Sequence, residues 1–513
     1  MSGLAEIAEV AGLEATEGPP GEVRAEIGER GFKRAAVEVA QRALLADLFA
    51  SVAGSAPALT AVFQVPGDRR WLLLTTRLSG DAFDSITPEV HAASWYEREI
   101  AEMFGLNPRG HPAPLPLRLN DDWPPDVHPM RGAVDREALA RRVPQRDHIP
   151  MVHGQGVFQL PLGPVRSGPQ ESAEFLFNSG GEDLVMVAPR LGYKFRAVER
   201  LAEGKTADEA LILAERLAGI SAFSNALAFV QAVERASDVE SPPLARRSRT
   251  LLNELERLHS HFGSLGRLAD STGLTVAAAQ YALLKEEVLR VCALLVGHRY
   301  LRGTLAVGGL RAPLSDEGRS RLAAALPGWK GRAKRLEGLL EDTATFIDQL
   351  ETTAVLTPDY AIEHNLVGPI GRSTGGDRDA RRDHPYAAYG EVHFEVLVKS
   401  QGDALARTRI LLFEVGQSLA IIEELLTAWV GDEVRVDAQP KAGSALGWSE
   451  APGGEALHFV EMDERGRVLR WHARPPACVN WHPYAHACAS GNNLTDYPVI
   501  EASFALSHAE FDR

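Results

Sequence analysis

The chain has 513 residues, of which 45% are hydrophobic and 24% charged, and its formal net charge is −15. This length favours roughly two to four domains, and the composition is that of an ordinary globular protein. The acidic balance argues against nucleic acid as a partner, and no apolar run of about 18 residues predicts a membrane span. Three scattered cysteines without a CxxC pair argue against a disulfide scaffold and against a self-contained iron–sulfur or zinc site.

The first 115 residues read as a small α/β domain. Residues 29–54 have helical spacing, and ALTAVFQV and RWLLLTTRL predict two strands around the turn PGDRR. Residues 85–105 predict a helix that Thr87 caps and that ends near Gly105. The N-terminus lacks the basic segment of a signal peptide, so we expect a cytoplasmic protein.

Residues 116–150 are rich in Pro, Gly, Arg and Asp and predict an extended linker with turns. Residues 151–513 form the second predicted domain. It opens with the strand-like pieces GQGVFQLPLGPV and AEFLFNSGGEDLVMVAPRLGY, and a strand pair, EALHFVEMD and VLRWHAR, follows its helices. Long helices are predicted over residues 207–236, 244–270, 275–301, 315–350 and 400–430. The fold class is therefore α+β, a small α/β domain joined to a large, mainly helical domain with small peripheral β-sheets.

Two consecutive sequence motifs carry a family resemblance for the first domain. WYEREIAEMFGLNPRGHP, followed by RLNDDWPPDVHPMRG, resembles the signature of the 30-kDa-type subunit of respiratory complex I. Taken alone, the acidic and basic residues 97–99 would read as a solvated helix face. The resemblance implies instead a docking element that is structural and carries no redox centre.

The second domain resembles the large subunit of group 4 [NiFe] hydrogenases of the formate hydrogenlyase type and, more distantly, the 49-kDa-type subunit of complex I. The words that carry this resemblance are LARRSRTLLNELERLHSHFGSLGRLAD, GHRYLRGTLAVGGLR, LVGPIGRSTGGDRDARRDHPYAAY, GDALARTRILLFEVGQS and NNLTDYPVIEAS. Together the two resemblances cover nearly the whole chain.

The nickel-binding cysteines of that family are missing. Active members hold nickel and iron through an N-terminal CGxC and a C-terminal CxxC, because soft thiolates suit these metals. The matching positions hold Ala218 and Ser221 in the first word, and Ser507 and Glu510 in the second. The arginine of the family's EAPRG loop is Gly453 here. We therefore predict no metal bound at these degenerate positions and no hydrogen turnover.

One acidic position of the family is kept. Glu171 stands where the resemblance implies a proton-relay glutamate, with Arg166 and Glu174 in place of histidines. A buried carboxylate between an arginine and a second carboxylate would have a perturbed pKa and could move protons in a cavity. The plain alternative is an ion pair between Glu171 and Arg166 at a strand turn.

Charged residues follow the glycine-rich word GPIGRSTGG. It lacks the lysine of a phosphate-binding loop, so nucleotide binding is not expected. The run from Asp377 to Asp383 alternates in charge and would by itself be a solvated loop. The resemblance implies that Arg372, Asp377 and Asp383 lie near the family's cavity or on the face that meets the partner subunit.

Three functions are open at this point. The first is a peripheral-arm subunit of a membrane-associated oxidoreductase complex related to complex I (NADH-quinone oxidoreductase) and hydrogenases. It would act in electron transfer to a quinone-like acceptor or in redox-coupled ion translocation. The resemblance implies a small iron–sulfur partner carrying a 4Fe–4S cluster, antiporter-like membrane subunits, a quinone as the candidate ligand of the cavity, and a cytoplasmic, peripheral position. The second is a purely structural subunit that scaffolds the iron–sulfur partner. The third is an active hydrogenase with unusual ligands, which the missing thiolates disfavour.

Overall fold

A computed structural model describes residues 3–52, 56–132, 134–141, 150–166, 171–427 and 429–513. The N-terminal region is a five-stranded sheet in the order β1-β2-β5-β4-β3, in which only β2 and β5 pair in parallel. Its helices are α1 (Gly3–Val10), α2 (Glu29–Ala40) and α3 (Ser94–Phe104). Its strands are β1 (Ala15–Glu17), β2 (Glu22–Glu26), β3 (Leu44–Ser51), β4 (Ala58–Gln64) and β5 (Trp71–Arg77).

The helix predicted over residues 29–54 is wrong in its second half. α2 ends at Ala40, and Leu44–Ser51 is strand β3. Both faces of β3 are buried, with Leu45 and Leu48 in the N-terminal core and Phe49 in the core of the large domain. A strand that is buried on both faces has a continuous run of apolar residues in its sequence. Hydrophobic periodicity alone does not distinguish such a run from a buried helix.

The helix predicted over residues 85–105 begins later than expected. A 3-10 turn at His91–Ala93 precedes α3, and Gly105, at φ 65°, ends α3 as predicted. Thr87 is not the cap, because its hydroxyl donates to the Glu97 carboxylate at 2.7 Å. The short parallel pair β6 (Ala82–Asp84) and β7 (Asn107–Arg109) then leads into the predicted linker.

The predicted linker, residues 116–150, carries one short helix, α4 (Arg136–Ala140), among turns. Residues 133 and 142–149 lie outside the described part of the chain. Its first residues are packed rather than solvated: Arg118 is buried and pairs with Glu99 of α3 at 2.9 Å.

The large domain combines a helical core with two three-stranded antiparallel sheets, β10-β9-β8 and β13-β14-β15, and a two-stranded β11-β12 pair. The strands are β8 (Val157–Leu162), β9 (Glu174–Gly180), β10 (Asp183–Arg190), β11 (Leu305–Ala306), β12 (Gly309–Leu310), β13 (Gly443–Ala451), β14 (Gly454–Met462) and β15 (Val468–Arg474). The strand pair predicted near the end of the domain is therefore the second half of a larger sheet, because β13 joins it.

The long helices sit close to their predicted ranges, with two breaks. The range 207–236 divides before Ser221, and the range 315–350 divides at Asp342. The helices are α5 (Val198–Ala202), α6 (Ala207–Ala214), α7 (Ala222–Ala236), α8 (Pro243–Ser271), α9 (Thr275–Val296), α10 (Asp316–Glu341), α11 (Ala344–Leu350), α12 (Pro358–Glu363), α13 (Gly368–Ser373), α14 (Ala380–Asp383), α15 (Ala404–Thr427), α16 (Ala477–Asn480), α17 (Tyr484–Ala489), α18 (Tyr497–Phe504) and α19 (His508–Asp512). Among the described residues, none of these helices has the length and apolar character that a membrane crossing requires.

The sheet β13-β14-β15 connects the two regions of the chain. One face packs on α7, where a Cβ at Gly447 would lie 2.0 Å from the Ala228 carbonyl oxygen, so only glycine allows this approach. The other contacts the N-terminal sheet, where the rings of Phe49 and Phe459 lie 4.9 Å apart. α7 is thereby fixed against β13, and its first turn is where the candidate site begins.

Candidate functional site

The four degenerate ligand positions are carried by the starts of two helices. Ala218 and Ser221 precede α7, while Ser507 and Glu510 belong to the first turn of α19. Ser507 caps α19, since its hydroxyl oxygen accepts a hydrogen bond from the Glu510 amide at 3.1 Å. All four residues are buried, with at most 3% of their surface exposed.

Ser221 and Glu510 meet directly. The Ser221 hydroxyl donates to the Glu510 carboxylate. The side-chain amide of Asn225 donates to the Ser221 hydroxyl oxygen at 3.0 Å and to Glu510 at 3.1 Å. The Asn225 oxygen in turn lies 3.2 Å from Nε2 of His458 on β14. These residues form a closed polar network at the position that the family resemblance gives to the metals.

Burial dominates the electrostatics of Glu510. It raises the pKa of this carboxyl to about 7, although the hydrogen bonds from Ser221 and Asn225 act in the opposite direction. At neutral pH the group therefore exists in both protonation states.

The first turn of α19 also binds the Glu171 carboxylate. The Ser507 hydroxyl donates to its carboxylate, with the two oxygens at 2.9 and 3.0 Å, and the Ala509 amide donates at 2.8 Å. Nδ1 of His508 lies 3.6 Å away, at electrostatic range rather than in a hydrogen bond. Burial would raise the pKa of Glu171, but His508 and these donors outweigh it and lower the pKa to about 2. Glu171 is thus ionised beside the titrating Glu510.

Arg166 does not make the ion pair that the sequence suggested. Its guanidinium pairs with Glu501 of α18 at 2.5 Å and donates to the backbone carbonyl of Glu171 at 3.2 Å. Glu174, expected to be the second carboxylate, pairs instead with Arg190 on β10 at 3.1 Å. The carboxyl group that shares a network with Glu171 is Glu510. Residues 167–170, between Arg166 and Glu171, lie outside the described part of the chain.

A second buried carboxyl, which the sequence reasoning missed, flanks the site. Glu256 on α8 accepts hydrogen bonds from the amides of Phe223 at 2.6 Å and Ser224 at 2.8 Å, at the start of α7. Burial, helped by the charge of Glu510, raises the pKa of Glu256 to about 7 against the opposing effect of the hydrogen bonds from Ser224 and Phe223. The sequence signal that could have revealed Glu256 is the segment NELERLH, in which charged residues interrupt a stripe of leucines. The helix that carries it, α8, is buried on nearly all sides.

Arg372 belongs to a separate buried ion network. Its guanidinium donates to Glu450 at 3.0 Å and also pairs with Glu414, which accepts from His261 at 2.7 Å. Burial, together with the nearby Asp379 carboxylate, raises the pKa of Glu450 to about 7 although the charge of Arg372 lowers it. Burial also acts on Glu414, but the charge of Arg372 and the His261 contact outweigh it and hold the pKa of Glu414 well below its ordinary value.

The charged run after Arg372 divides between interior and surface. Asp379 and Arg381 are fully buried, so a wholly solvated loop is wrong. Asp377 and Asp383 pair instead with Arg382 near the surface, at 2.6 and 2.7 Å, and line an open cavity of about 520 Å³. Arg372, Asp377 and Asp383 are therefore not gathered in one cavity.

Comparison with known proteins matches both parts of the chain. The family model described as "Respiratory-chain NADH dehydrogenase, 49 Kd subunit" matches residues 272–443 and 433–513, and the 30 Kd subunit model matches residues 35–138. Hydrogenase-4 component G of Escherichia coli (strain K12) is 30% identical over 87% of this chain and 79% of its own length. The chain belongs to this family of hydrogenase and complex I large subunits.

Two further relatives match over different shares of the chain. Formate hydrogenlyase subunit 5 of the same organism is 29% identical over 87% of this chain and 80% of its own length. An NADH-quinone oxidoreductase subunit of Chloroherpeton thalassium is 33% identical over 69% of this chain and 87% of its own length. The resemblance seen in the sequence motifs is thereby confirmed.

The residues present do not fit a nickel–iron centre. Ala218 offers a methyl group, and Ser221 and Ser507 offer hydroxyls that are already hydrogen-bonded to Glu510 and Glu171. Glu510 offers a hard carboxylate oxygen where a soft thiolate is needed. The donor set that remains consists of hydroxyl and carboxylate oxygens rather than the thiolates that bind low-valent metals.

Proposed function

We propose that this chain is a subunit of a membrane-associated oxidoreductase complex related to complex I, and that its degenerate metal site handles protons. The names of its relatives, which include hydrogenase, formate hydrogenlyase and NADH-quinone oxidoreductase subunits, support the first part. We place the chain at the cytoplasmic face of the membrane, peripheral to antiporter-like subunits. We also propose a small partner that supplies a 4Fe–4S cluster.

One observation carries the second part: Glu510 and Glu256, each with a pKa raised to about 7 by burial, flank the start of α7. A group with this pKa changes its protonation state in response to a small change in local potential. One electron added about 12 Å away, at an effective dielectric constant of about 20, shifts such a pKa by about one unit. Near pH 7 a one-unit rise takes such a carboxyl from about half to about nine-tenths protonated, so reduction of a nearby cluster would draw about 0.4 proton per carboxyl from solution, and oxidation would release it.

The geometry supports proton handling better than quinone binding at this place. Arg166, at the position of a family histidine, is paired with Glu501, and Glu171 is ionised and saturated by Ser507 and Ala509. A quinone needs donors that face an open space, whereas these donors face one another. Redox-coupled ion translocation is therefore the finer role that we propose, and a scaffold without chemistry is the competing one.

The proposal is tested with the assembled complex in sealed vesicles, by measuring protons moved per electron in Glu510→Gln. The amide keeps the shape of the side chain but does not titrate. We expect electron transfer to continue while the proton-to-electron ratio falls, by up to about half of the part that these two carboxyls supply, because Glu256 still titrates. Glu464→Gln, in the exposed turn between β14 and β15, is the matched control and should leave the ratio unchanged. An unchanged ratio in Glu510→Gln, with the complex intact, would instead support a purely structural subunit.

A further inference from the structure

Three histidines from distant parts of the chain converge away from the polar network. His91 lies in the 3-10 turn before α3, His364 ends α12, and His482 lies between α16 and α17. One ring nitrogen from each lies within 4.8 Å of the other two. The ring centroids are separated by 4.6 Å for His91 and His364, 4.6 Å for His364 and His482, and 5.2 Å for His91 and His482.

The surrounding residues hold these rings in place. Nδ1 of His364 lies 2.9 Å from the Tyr360 carbonyl oxygen, to which it donates, so Nε2 keeps a free lone pair. The Tyr360 ring stacks on His364 at 3.9 Å, and the Trp95 ring stacks on His482 at 4.8 Å. A backbone carbonyl that fixes the tautomer of a histidine is the usual support of a histidine metal ligand.

The cluster is partly buried, yet an ion could reach it from solvent. Burial lowers the pKa of His364 to about 4, so this imidazole carries a lone pair rather than a second proton. His91 and His482 are partly exposed. His482 and Trp95 also line an open cavity of about 340 Å³, through which an ion could enter.

We propose that His91, His364 and His482 form a binding site for a divalent transition-metal ion, with Zn²⁺ as the preferred occupant. Imidazole nitrogens suit zinc, and three of them with one water complete a tetrahedral shell. Tetrahedral zinc needs its nitrogen ligands about 3.3 Å apart. Bringing nitrogens that now lie within 4.8 Å to that separation takes small ring rotations on the partly exposed His91 and His482.

Another cluster, of two carboxylates and one histidine, is unsuitable for binding a metal ion. Glu99, Glu199 and His472 also lie within reach of one another. Both carboxylates pair with the guanidinium of Arg513, and Glu199 also pairs with Arg470 at 2.7 Å. Two cations already occupy the place that a metal would take, whereas the three histidines have aromatic neighbours.

The proposed ion would join the two matched regions of the chain. His91 lies within the segment that matches the 30 Kd subunit model, and His364 and His482 lie within the segments that match the 49 Kd model. Binding only to the folded arrangement would stabilise the contact between these regions by mass action.

The test uses the full-length chain without an affinity tag, stripped with chelator and dialysed against Zn²⁺. We expect one zinc ion per chain, half-saturation below about 10 µM, and an apparent melting temperature raised by roughly 2–4 °C. Co²⁺ in place of Zn²⁺ should give the intense visible bands of a tetrahedral site.

Two single variants and one control make the result specific. His482→Gln and His91→Gln should each weaken binding at least tenfold, and their metal-free melting temperatures report whether they fold. His393→Gln removes a histidine that is 95% exposed and should bind as wild type does. Sub-stoichiometric binding by wild type, or binding unchanged in a folded His482→Gln or His91→Gln protein, would overturn the proposal.

Discussion

The Ser221 hydroxyl donates a hydrogen bond to the Glu510 carboxylate, although 289 positions of the chain separate the two residues. Both stand at positions where hydrogenases of this family carry cysteine thiolates. Where the family resemblance implies soft thiolates, this chain carries a hydroxyl and a carboxyl that belong to a buried hydrogen-bonded network. Changes to that network, or to the packing that encloses it, should have measurable effects on stability and titration.

The Glu510→Gln variant should change how stability depends on pH. The pKa of Glu510 is raised from 4.5 to about 7 in the folded chain, so folding is favoured while the group is protonated in both states. That stability is full below pH 4.5, is lost as the pH rises towards 7, and amounts to about 3 kcal/mol. In urea titrations, the free energy of unfolding of the variant should therefore fall by about 3 kcal/mol less than that of wild type over this pH range. Parallel curves for the two proteins would show that Glu510 has an ordinary pKa.

Ser507→Ala should remove a hydrogen bond that stabilises the ionised Glu171 carboxylate. The hydroxyl donates to a charged acceptor, and such a bond contributes about 1–2 kcal/mol after discounting for the partial exposure of Glu171. The pKa of Glu171 is lowered to about 2, so this contribution is full above pH 4.5 and disappears as the pH falls towards 2. Urea unfolding at pH 7 and pH 3 should show the loss mainly at pH 7, with Ser400→Ala, at an exposed position, as the control. A loss of equal size at both pH values would point to the helix cap alone.

Arg372→Met should be among the most damaging single changes in the large domain. The arginine is 1% exposed and pairs with Glu414 and Glu450. Without it Glu450 loses its ion-pair partner, and Glu414 keeps its contacts with His261 and Arg257. Removing one partner of such a network costs about 3–5 kcal/mol. Asp377→Ala removes an exposed partner of Arg382 and should change the free energy of unfolding by no more than about 0.5 kcal/mol. Similar losses in both variants would show that Arg372 does not hold the buried network together.

Glu97→Ala should loosen the N-terminal region. The Glu97 carboxylate is fully buried and accepts from the hydroxyls of Ser85 at 2.5 Å and Thr87 at 2.7 Å, and from the Ile86 amide at 2.7 Å. Its removal leaves three buried donors without acceptors, which costs about 3 kcal/mol or more. Denaturant unfolding should show this loss, whereas Glu89→Ala, at a partly exposed position, should lower stability by less than about 1 kcal/mol.

The sequence predicted the fold where a signal was local or where a motif was long. The strands around PGDRR and the ranges of α8, α9 and α15 follow from periodicity. Strand β3 did not, because its two faces are covered by two different cores, and only the tertiary structure shows this. The buried role of Glu97 was likewise hidden, since ERE on a helix normally faces water.

The candidate site was predictable only as far as the family motifs extend. They named Ser221, Ser507 and Glu510, which the structure brings into one network. They did not reveal Glu256, because a charge on a long helix shows its environment only after the helix is packed. Arg166 and Glu171 are close in sequence and suggested a pair, yet the arginine reaches Glu501 of α18 instead. Long-range packing decides such partners, and the sequence encodes it only indirectly.

The most direct test of the account is an infrared titration of buried carboxyl groups in the full-length chain, comparing wild type with Glu510→Gln between pH 5 and 9. We predict that wild type loses protonated carboxyl absorption with a midpoint near pH 7. In Glu510→Gln part of that signal should vanish. Glu450 should still titrate near pH 7, and the contribution of Glu256 should move to a lower midpoint because the Glu510 charge is gone. Identical titrations in the two proteins would contradict the claim that the degenerate metal site has become a proton-exchanging one.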